Sequence, residues 1–489
     1  MLYKCLIEDN LRDNADKIAL RYHQYNYKYS DLHNFTMGLK ESLSIKGIKK
    51  GDRVIIISKN SPMEVIAILA TISLGVVFVP LPYDISEKRL DYVVKDCEPA
   101  AILVDEERYS QLDQGHYKQQ VILLSDDVIP NTDGPYHREI LDRDDLAYII
   151  YTSGSTSQPK GVVACQRQVL FAAKAINEAL KNTKEDILLC RIPLSFDYGL
   201  YQVLMSFMIG AELILIDEKE LVQNIPYLLK KYNVTAFPVV PALINMLVKS
   251  KLLERIELPN LRYMSSTGDV LPTYIINKLD EIMPHVEVIP MYGLTECKRV
   301  SVMPYGDKEK KLEGSCGIPL PGTEVKLLNK KDGVGELAVM GPHVMCGYWG
   351  DIEETSKYYT YYNGRAMLKT GDLFKIDNEG YLYFVGRTKS FIKNNGYRVN
   401  VLELETILNS QEKVREVAVI GIENVDIGEE IVCILSVNDL IDKDSIIKES
   451  KKLLSGIKVK KYIVTKELLP KNSNGKINRK ILKEQIKSK

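Results

Sequence analysis

The length and composition of the chain exclude several classes of protein. It has 489 residues, 45% of them hydrophobic and 27% charged, as expected of a water-soluble globular protein with at least two domains. The formal net charge of zero gives no reason to expect nucleic acid as a partner. The eight cysteines contain no Cys-x-x-Cys pair, which excludes a zinc ribbon and favours reduced thiols in a cytoplasm.

The N-terminal part of the chain predicts neither a signal peptide nor a membrane span. Residues 1–20 carry acidic side chains where a signal peptide needs an apolar run. The longest apolar stretch, residues 65–79, follows Glu64 and is interrupted by Thr71 and Ser73. It is also shorter than the ~20 residues that a transmembrane helix needs. This stretch therefore predicts a buried helix that runs into a strand.

The predicted elements fall into three regions along the chain. Between residues 50 and 240, strand-like and helix-like segments alternate, which predicts an α/β fold with parallel sheets flanked by helices. From about residue 314, short glycine-punctuated strands predict a small antiparallel sheet or β-barrel-like subdomain. The pattern then changes to a small α+β unit. We therefore expect an N-terminal domain at 1–388 and a mobile C-terminal domain at 389–489.

A loop rich in hydroxyl groups and glycine follows an apolar strand near residue 150. The sequence YTSGSTSQPKG ends in Lys160-Gly161, so hydroxyl groups, backbone N–H groups and an ammonium group are available to phosphate oxygens. In a Walker A motif the lysine follows the glycine and a serine or threonine comes next, which is not the order here. The sequence therefore predicts a phosphate-binding loop of another kind, with a plain surface turn as the weaker alternative.

This segment resembles the signature of the acyl-adenylate-forming superfamily, which includes acyl- and aryl-CoA synthetases, firefly luciferase and nonribosomal-peptide adenylation domains. Other segments match further family motifs in the same order, so that the resemblance covers nearly the whole chain: residues 265–269, 291–296, 335–350, 368–387, 390–405 and 470–482. The resemblance implies an enzyme that uses ATP and Mg²⁺ to convert a carboxylic acid into an acyl-AMP, which then passes to a thiol.

The resemblance also implies roles for individual residues. Phosphate binding is expected of Thr152, Ser153, Gly154, Ser155, Thr156 and Lys160. Adenine and ribose binding is expected of Gly268, Asp269, Met291, Tyr292, Gly293, Asp372, Phe384 and Arg387. Catalysis is expected of Thr295 at the α-phosphate, Glu296 as the magnesium ligand and Lys476 between the acid and the phosphate. Without the family motifs, Asp372 and Arg387 read as a surface ion pair, and Lys476 as a solvent-exposed lysine.

The segment PLSFDYGLYQVL, residues 193–204, bears on the identity of the acid. Amino-acid-activating relatives carry Phe-Asp here, with the aspartate paired to the substrate ammonium, and Phe196-Asp197 fits that pattern. The alternative is that Asp197 caps a helix beginning at Tyr198. The remaining predicted pocket residues are Tyr198, Tyr201, Thr267, Met291 and Arg299. The chain also departs from relatives that carry histidine just after the phosphate loop, because it has Gln166 there.

The thiol acceptor is left open between two chemically related partners. The resemblance implies a hinge at Lys389, with Lys393 and Gly396 in a loop that lines the pantetheine tunnel. No carrier module follows Lys489 and no condensation module precedes Met1 in this sequence, so we expect delivery to a separate phosphopantetheinyl carrier protein. Free coenzyme A is the alternative acceptor.

Two further observations bear on partners and on the class of protein. From Ile441 to Lys489 there are fifteen Lys or Arg residues against five Asp or Glu residues. A solvated helix face is the simple interpretation, and a docking surface for an acidic carrier is the other. The alternative of a non-catalytic nucleotide-binding relative is disfavoured. Such a protein would not need to keep the residues expected to act in catalysis, and this chain has all three: Lys160, Glu296 and Lys476.

Overall fold

The chain folds as a mixed α/β protein, as predicted. The computed structural model describes residues 1–112, 117, 121–125, 139–152, 158–388, 391–394, 397–411, 413–424, 428–437, 442–471 and 477–487. Throughout these ranges, none of the helices combines the length and the apolar composition that crossing a membrane requires.

The helices begin with a π-helical turn at Lys4–Glu8, and short 3₁₀ turns lie at Val222–Asn224 and Leu253–Arg255. The α-helices are α1 Asp9–Asn14, α2 Tyr29–Ile45, α3 Pro62–Leu74, α4 Glu87–Cys97, α5 Glu106–Gln111, α6 Gln166–Ala179, α7 Asp197–Met208, α8 Ile225–Lys231, α9 Pro241–Lys249, α10 Thr273–Ile282, α11 Lys308–Leu312, α12 Ile352–Tyr358, α13 Val401–Asn409, α14 Lys443–Leu453 and α15 Arg479–Lys487.

The strands are β1 Ile18–Tyr22, β2 Tyr25–Lys28, β3 Arg53–Ile57, β4 Val77–Pro80, β5 Ala101–Val104, β6 Val121–Leu123, β7 Leu146–Thr152, β8 Lys160–Cys165, β9 Ile187–Cys190, β10 Glu212–Leu215, β11 Ala236–Val239, β12 Tyr263–Ser266, β13 Glu287–Tyr292, β14 Ser301–Val302, β15 Ile318–Pro319, β16 Glu324–Lys331, β17 Val334–Met340, β18 Gly347–Tyr348, β19 Tyr359–Tyr362, β20 Arg365–Ile376, β21 Leu382–Arg387, β22 Phe391–Asn394, β23 Tyr397–Asn400, β24 Val414–Asn424, β25 Gly428–Val437 and β26 Val459–Thr465.

Two large sheets dominate the first two thirds of the chain. Within the described residues, one sheet has nine strands in the order β15-β14-β13-β12-β11-β9-β10-β1-β2, and its six central strands from β13 to β1 run parallel. The other has seven strands in the order β18-β8-β7-β4-β3-β5-β6, parallel from β7 to β6. Such sheets need helices on their faces, which explains why the central strands are apolar throughout.

The apolar stretch from residue 65 to 79 forms the predicted buried helix and strand. Helix α3 is buried along its whole length, and the Ser61 hydroxyl caps its N-terminus by accepting the Glu64 N–H at 3.2 Å. Gly75 ends the helix at φ +74°, a conformation that favours glycine, and the chain then enters β4. The prediction of a buried core helix in place of a membrane span is confirmed.

The two smaller sheets are antiparallel except for one strand. One pairs β16, β17, β20 and β19 in that order, with β21 added to β20, and it forms the predicted glycine-punctuated unit. The other pairs β23, β22, β25 and β24, with β26 added parallel to β25. Helices α13, α14 and α15 complete this C-terminal α+β unit, and separate apolar clusters lie on the two faces of its sheet.

The C-terminal unit contacts the rest of the chain directly, at α9 and at β21. The ammonium of Lys249 on α9 donates a hydrogen bond to the carbonyl of Val414, and the Asn400 side chain donates to the Val385 carbonyl at 2.7 Å. These contacts leave a cavity between the two parts, at the carboxyl ends of β12 and β13. Ligands of open α/β sheets bind at this edge, which makes the cavity the first candidate site.

Candidate active site

The candidate site centres on a cavity of about 420 Å³. Residues from both parts of the chain line it, including Phe391 and Glu405 from the C-terminal unit. All eight residues predicted to bind adenine or ribose also line it: Gly268, Asp269, Met291, Tyr292, Gly293, Asp372, Phe384 and Arg387. The fold thus brings together positions that are more than a hundred residues apart, while their role in nucleotide binding stays a prediction.

The loops after β12 and β13 supply one wall of the cavity. Both strands are parallel neighbours, so the segments SSTGD and MYGLTE leave the sheet side by side. The second loop turns tightly, because a Cβ on Gly293 would lie 1.9 Å from the Lys298 carbonyl oxygen. Only glycine allows this approach, which returns the chain to pair β14 with β13.

A buried carboxylate faces the cavity from the antiparallel sheet. Asp372 is only 3% exposed and lies opposite Arg387 in the pairing of β20 with β21. Its Oδ2 accepts the Tyr292 hydroxyl at 2.8 Å, and its Oδ1 lies 3.1 Å from Arg387 Nε. Burial and Asp372 raise the pKa of Tyr292, so the phenol stays a donor. Asp372 and Arg387 do form an ion pair, but the alternative interpretation of a surface pair is wrong for Asp372, because this residue is buried at the cavity.

The phosphate loop is partly described. Thr152 ends β7 and pairs with Lys160 at the start of β8. Thr152 also lines a second cavity, of about 30 Å³, together with Phe196 and Thr295. Three residues predicted separately for phosphate, acid and catalysis thus meet in one cleft. The remaining predicted loop residues lie outside the described part of the chain: Ser153, Gly154, Ser155 and Thr156.

Lys160 has an internal partner that sequence reasoning missed. Its ammonium forms an ion pair with Glu354 on α12 and lies 3.3 Å from the Tyr358 hydroxyl. The hydrogen bond from Lys160 holds the pKa of the Glu354 carboxyl below its usual value. A phosphate that binds Lys160 must first displace Glu354. The two residues are 194 positions apart, and no spacing in the sequence relates them.

Glu296 is held in place by residues of the strand β18 region. Its Oε1 accepts the Tyr348 hydroxyl at 3.0 Å, and its backbone carbonyl accepts the Met345 N–H at 2.7 Å. Tyr348 is a further residue that the sequence did not reveal as part of the site. These two contacts fix both the side chain and the backbone of Glu296.

The residues predicted to bind the acid are mostly buried. Tyr198 donates its hydroxyl to the Ser265 carbonyl at 2.9 Å, and burial raises the pKa of Tyr198 to about 12. The Tyr201 and Tyr148 hydroxyls lie 3.2 Å apart, and Arg299 Nη1 donates to Thr267 Oγ1 at 2.6 Å. These contacts place the predicted residues Tyr198, Tyr201, Thr267 and Arg299 in one buried region, beside Lys298, which sequence reasoning overlooked.

Asp197 does not cap a helix. Helix α7 begins at Asp197 itself, its N-cap residue is Phe196, and no side chain makes a capping hydrogen bond there. The alternative interpretation of Asp197 as the cap of a helix starting at Tyr198 is therefore wrong.

Gln166, the residue that departs from the histidine of relatives, has a structural partner, since its Oε1 accepts the Leu2 N–H at 3.0 Å. Of the hinge, tunnel and catalytic predictions, Lys393 lies in β22, whereas the following are not described: Lys389, Gly396 and Lys476.

Comparison with known proteins agrees with this geometry. The sequence model of the AMP-binding enzyme family matches residues 7–349, and that of the AMP-binding enzyme C-terminal domain matches residues 403–476. The chain is 30% identical to 4-coumarate--CoA ligase-like 4 of Oryza sativa subsp. japonica, over 90% of this chain and 84% of the relative. It is 27% identical to bacitracin synthase 1 of Bacillus licheniformis, over 98% of this chain but only 9% of that relative.

Solved structures of acyl-CoA synthetases superpose on this chain over almost its whole length. ATP-bound MatB from Rhodopseudomonas palustris superposes with a TM-score of 0.88 at 25% identity, over 99% of this chain and 98% of that one. The o-succinylbenzoate CoA synthetase of Bacillus subtilis, in complex with its acyl-adenylate intermediate, superposes with a TM-score of 0.84 at 26% identity, over 98% and 97%.

These findings define the class of the protein as AMP-forming ligases with the adenylate-forming fold. The chain belongs to the AMP-binding enzyme family, whose relatives include CoA ligases and peptide-synthetase adenylation domains. Its reaction is that of an AMP-forming ligase, the formation of an acyl-adenylate.

Proposed function

We propose that this enzyme activates an amino acid and transfers it to the phosphopantetheine thiol of a separate carrier protein. The observation that carries the amino-acid assignment is Asp197, at the first residue of α7. Its carboxylate caps no helix and makes no direct ion pair within the described part of the chain, although Lys298 and Arg299 interact with it electrostatically. A carboxylate at a ligand site is stabilised by a cationic partner, and a substrate ammonium would supply one.

The chemistry places demands on the residues around the two cavities. The acid carboxylate oxygen attacks the α-phosphorus of ATP, a new P–O bond forms, and the bond to the bridging oxygen of pyrophosphate breaks. Asp372 is suited to accept the two ribose hydroxyls, and Thr295 is suited to donate to the α-phosphate. When ATP binds, the ion pair between Lys160 and Glu354 breaks, and Lys160 contacts the β- and γ-phosphates. Lys476 balances the negative charge that develops between the acid and the phosphate.

Magnesium fits the donor set at Glu296. No group of three His, Cys, Asp or Glu side chains that could enclose a metal occurs among the residues described. A single oriented carboxylate suits Mg²⁺, which keeps water and phosphate oxygens as its other ligands. Glu296, held by Tyr348, would hold the ion, which would neutralise charge on the nucleotide phosphates. This assignment is part of the proposal.

The two half-reactions require different arrangements of the C-terminal unit. We place the boundary at residues 388 and 389 and the hinge at Lys389. Rotation there would first bring Lys476 to the acid and later turn the segment of Lys393 and Gly396 toward the acyl-AMP. The thiol would then reach the carbonyl through a tunnel beside β22.

Replacing Asp197 with asparagine tests the amino-acid assignment. Asp197→Asn removes the charge but little volume, so KM for the cognate amino acid should rise about tenfold to 100-fold through loss of one charge-assisted contact. Activity with the des-amino acid should be unchanged or improved. Steady-state pyrophosphate exchange measures both, with the surface variant Asp217→Asn as control. A plain fatty or aryl acid as the best substrate contradicts the proposal.

The basic surface of the C-terminal unit supports a carrier protein as acceptor. Lys451 and Lys452 end α14 and are both exposed, and Lys460 and Lys461 lie exposed on β26. A carrier protein would contact a surface of this extent, whereas coenzyme A needs only the cations at the tunnel mouth. Opposite charges across such an interface mainly accelerate association.

Charge reversal on α14 distinguishes the two acceptors. Lys451→Glu with Lys452→Glu should slow loading of a holo carrier protein about tenfold at low salt, and less at high salt, while pyrophosphate exchange stays unchanged. The matched control is Lys330→Glu with Lys331→Glu, an exposed pair on β16. Efficient transfer to free coenzyme A that is insensitive to the α14 reversal would identify a CoA ligase instead.

A further inference from the structure

Two adjacent cations are buried two and three residues after Glu296, the proposed magnesium ligand. Lys298 is 3% exposed and Arg299 is 7% exposed. Within the described ranges, neither forms an ion pair with a carboxylate. Burial lowers the pKa of Arg299, which reflects the cost of keeping such a charge away from water. Such a cost is several kcal/mol per ion unless a partner offsets it.

Lys298 is fixed so that its ammonium points inward. Its backbone adopts φ +56°, a left-handed conformation that is unfavourable for lysine, in the tight turn that Gly293 permits. The ammonium donates to the Thr295 carbonyl at 2.7 Å and lies 5.0 Å from the centre of the Tyr148 ring. An ordinary surface lysine would need none of these arrangements, so the ammonium is positioned within the acid-binding region.

Arg299 has binding capacity that the protein leaves unused. Its Nη1 donates to Thr267, which also lines the large cavity, and its guanidinium lies 5.2 Å from the centre of the Tyr198 ring. Its Nε, although buried, has no hydrogen-bond partner among the described residues. A buried, unpaired N–H on a guanidinium that is bonded to a residue of the cavity wall is suited to an anionic acceptor from outside the protein.

The surrounding charges leave this region positive. Asp197 acts on both Lys298 and Arg299 electrostatically, and Glu296 acts on Lys298, but Glu296 is the proposed magnesium ligand. His343 adds no charge of either sign: it is fully buried, both ring nitrogens lack hydrogen-bond partners within the described residues, and burial with Lys298 lowers its pKa to about 4. One carboxylate therefore faces two cations.

We infer that Arg299, assisted by Lys298, binds a second anionic group of the substrate, so that the acid is an amino acid with two carboxylates. This inference rests on the proposed function and specifies its substrate class. The substrate ammonium faces Asp197, one carboxylate lies at Thr295 for adenylation, and the other occupies the unpaired side of the Arg299 guanidinium. The ammonium and the second carboxylate of the ligand then each meet an opposite charge of the pocket, while the reacting carboxylate lies at the neutral hydroxyl of Thr295.

Pyrophosphate exchange with matched acids tests the inference. Aspartate and glutamate should support exchange, whereas asparagine, alanine and β-alanine should do so at least about 100-fold less efficiently, since each leaves the buried cations unpaired. Arg299→Leu should lower kcat/KM for the dicarboxylate about 100-fold, mainly by raising KM. The same variant should show a smaller preference for aspartate over asparagine than the wild-type enzyme does. Arg299→Lys should restore part of the loss.

The stability of the same variant separates a binding role from a structural one. Because Arg299 is an unpaired buried charge in the free enzyme, Arg299→Leu should leave the melting temperature unchanged or raised. Addition of aspartate should raise the melting temperature of the wild-type enzyme but not that of the variant. A variant that melts much lower, with the substrate preference unchanged, overturns the inference.

The outcomes for the inference and for the proposed function are distinct. Exchange that favours alanine or β-alanine and is indifferent to Arg299→Leu overturns the second-anion inference and leaves amino-acid activation standing. Exchange that is most efficient with acids that carry no amino group, or that proceeds with no acid at all, overturns the proposed function and the inference with it.

Discussion

Replacing Asp372 with alanine should nearly abolish use of ATP. A carboxylate that accepts two ribose hydroxyls contributes about 1.5–3 kcal/mol per bond, so kcat/KM for ATP should fall by roughly 100-fold to 10,000-fold. The Asp372 carboxylate is buried, faces the cavity and is already oriented by Tyr292 and Arg387. The measurement is pyrophosphate exchange at varied ATP and saturating acid.

Two control variants make this result specific. Tyr292→Phe keeps the carboxylate and removes only the hydroxyl that orients it, so the loss should be about tenfold. Asp377→Asn removes a carboxylate at the far end of the same strand pair, where it is paired with Lys310 at 2.8 Å, and should leave KM for ATP unchanged. Equal loss of ATP affinity in Asp372→Ala and Asp377→Asn would point to a general weakening of the sheet.

Replacing Lys476 with alanine should separate the two half-reactions. Loss of a cation positioned at developing charge should slow adenylation by about 100-fold to 1,000-fold, while transfer from pre-formed acyl-AMP to the thiol continues. Lys476 lies outside the described residues, between Lys471 and Ile477, which form an antiparallel bridge. Single-turnover measurements of each half-reaction provide the test.

The controls for Lys476 come from the same domain. Lys480→Ala removes an exposed lysine on α15 and should leave both half-reactions unchanged. Lys389→Pro should slow thiol transfer more than adenylation, because it stiffens the proposed hinge. If Lys476→Ala and Lys389→Pro each slow both steps equally, the account of two domain arrangements is contradicted.

Local patterns predicted the elements of the fold well. The run of apolar residues in α3 and the β-branched run in β3 follow from periodicity, because side chains buried on all sides must be apolar. The small α+β unit expected at the C-terminal end of the chain appears as α13, β24, β25, α14 and β26. Sheet order was not predictable, since it depends on which distant strands pair: β9 lies between β10 and β11, and β1 beside β10.

Residues of the candidate site could be predicted where they belong to a short, contiguous sequence motif. The order of the family motifs located Asp372, Tyr292 and Arg387 without any knowledge of their contacts. Long-range partners were not predictable, and Tyr348 at Glu296 is an example, because the two are 52 residues apart. Lys298 was overlooked because lysine is rarely buried in proteins. The residues on either side of it in the sequence do not indicate that Lys298 is buried.

Asp197 shows a different limit of sequence reasoning. An aspartate at the start of a helix commonly serves as its cap, so the sequence left that role open beside substrate binding. The hydrogen bonds decide between them, because no side chain makes a capping hydrogen bond at the start of α7. Because α7 starts at Asp197 and Phe196 occupies the capping position, the aspartate is available for another role.

Product analysis tests the central claim most directly. The enzyme would be incubated with ATP, Mg²⁺, aspartate and a holo acyl carrier protein, and the nucleotides and the carrier would be analysed by mass spectrometry. We predict aspartate-dependent formation of AMP and pyrophosphate in equal amounts, with a mass gain of one aspartyl group on the phosphopantetheine arm. Formation of ADP and phosphate, or of AMP at a rate independent of every acid supplied, would contradict the account.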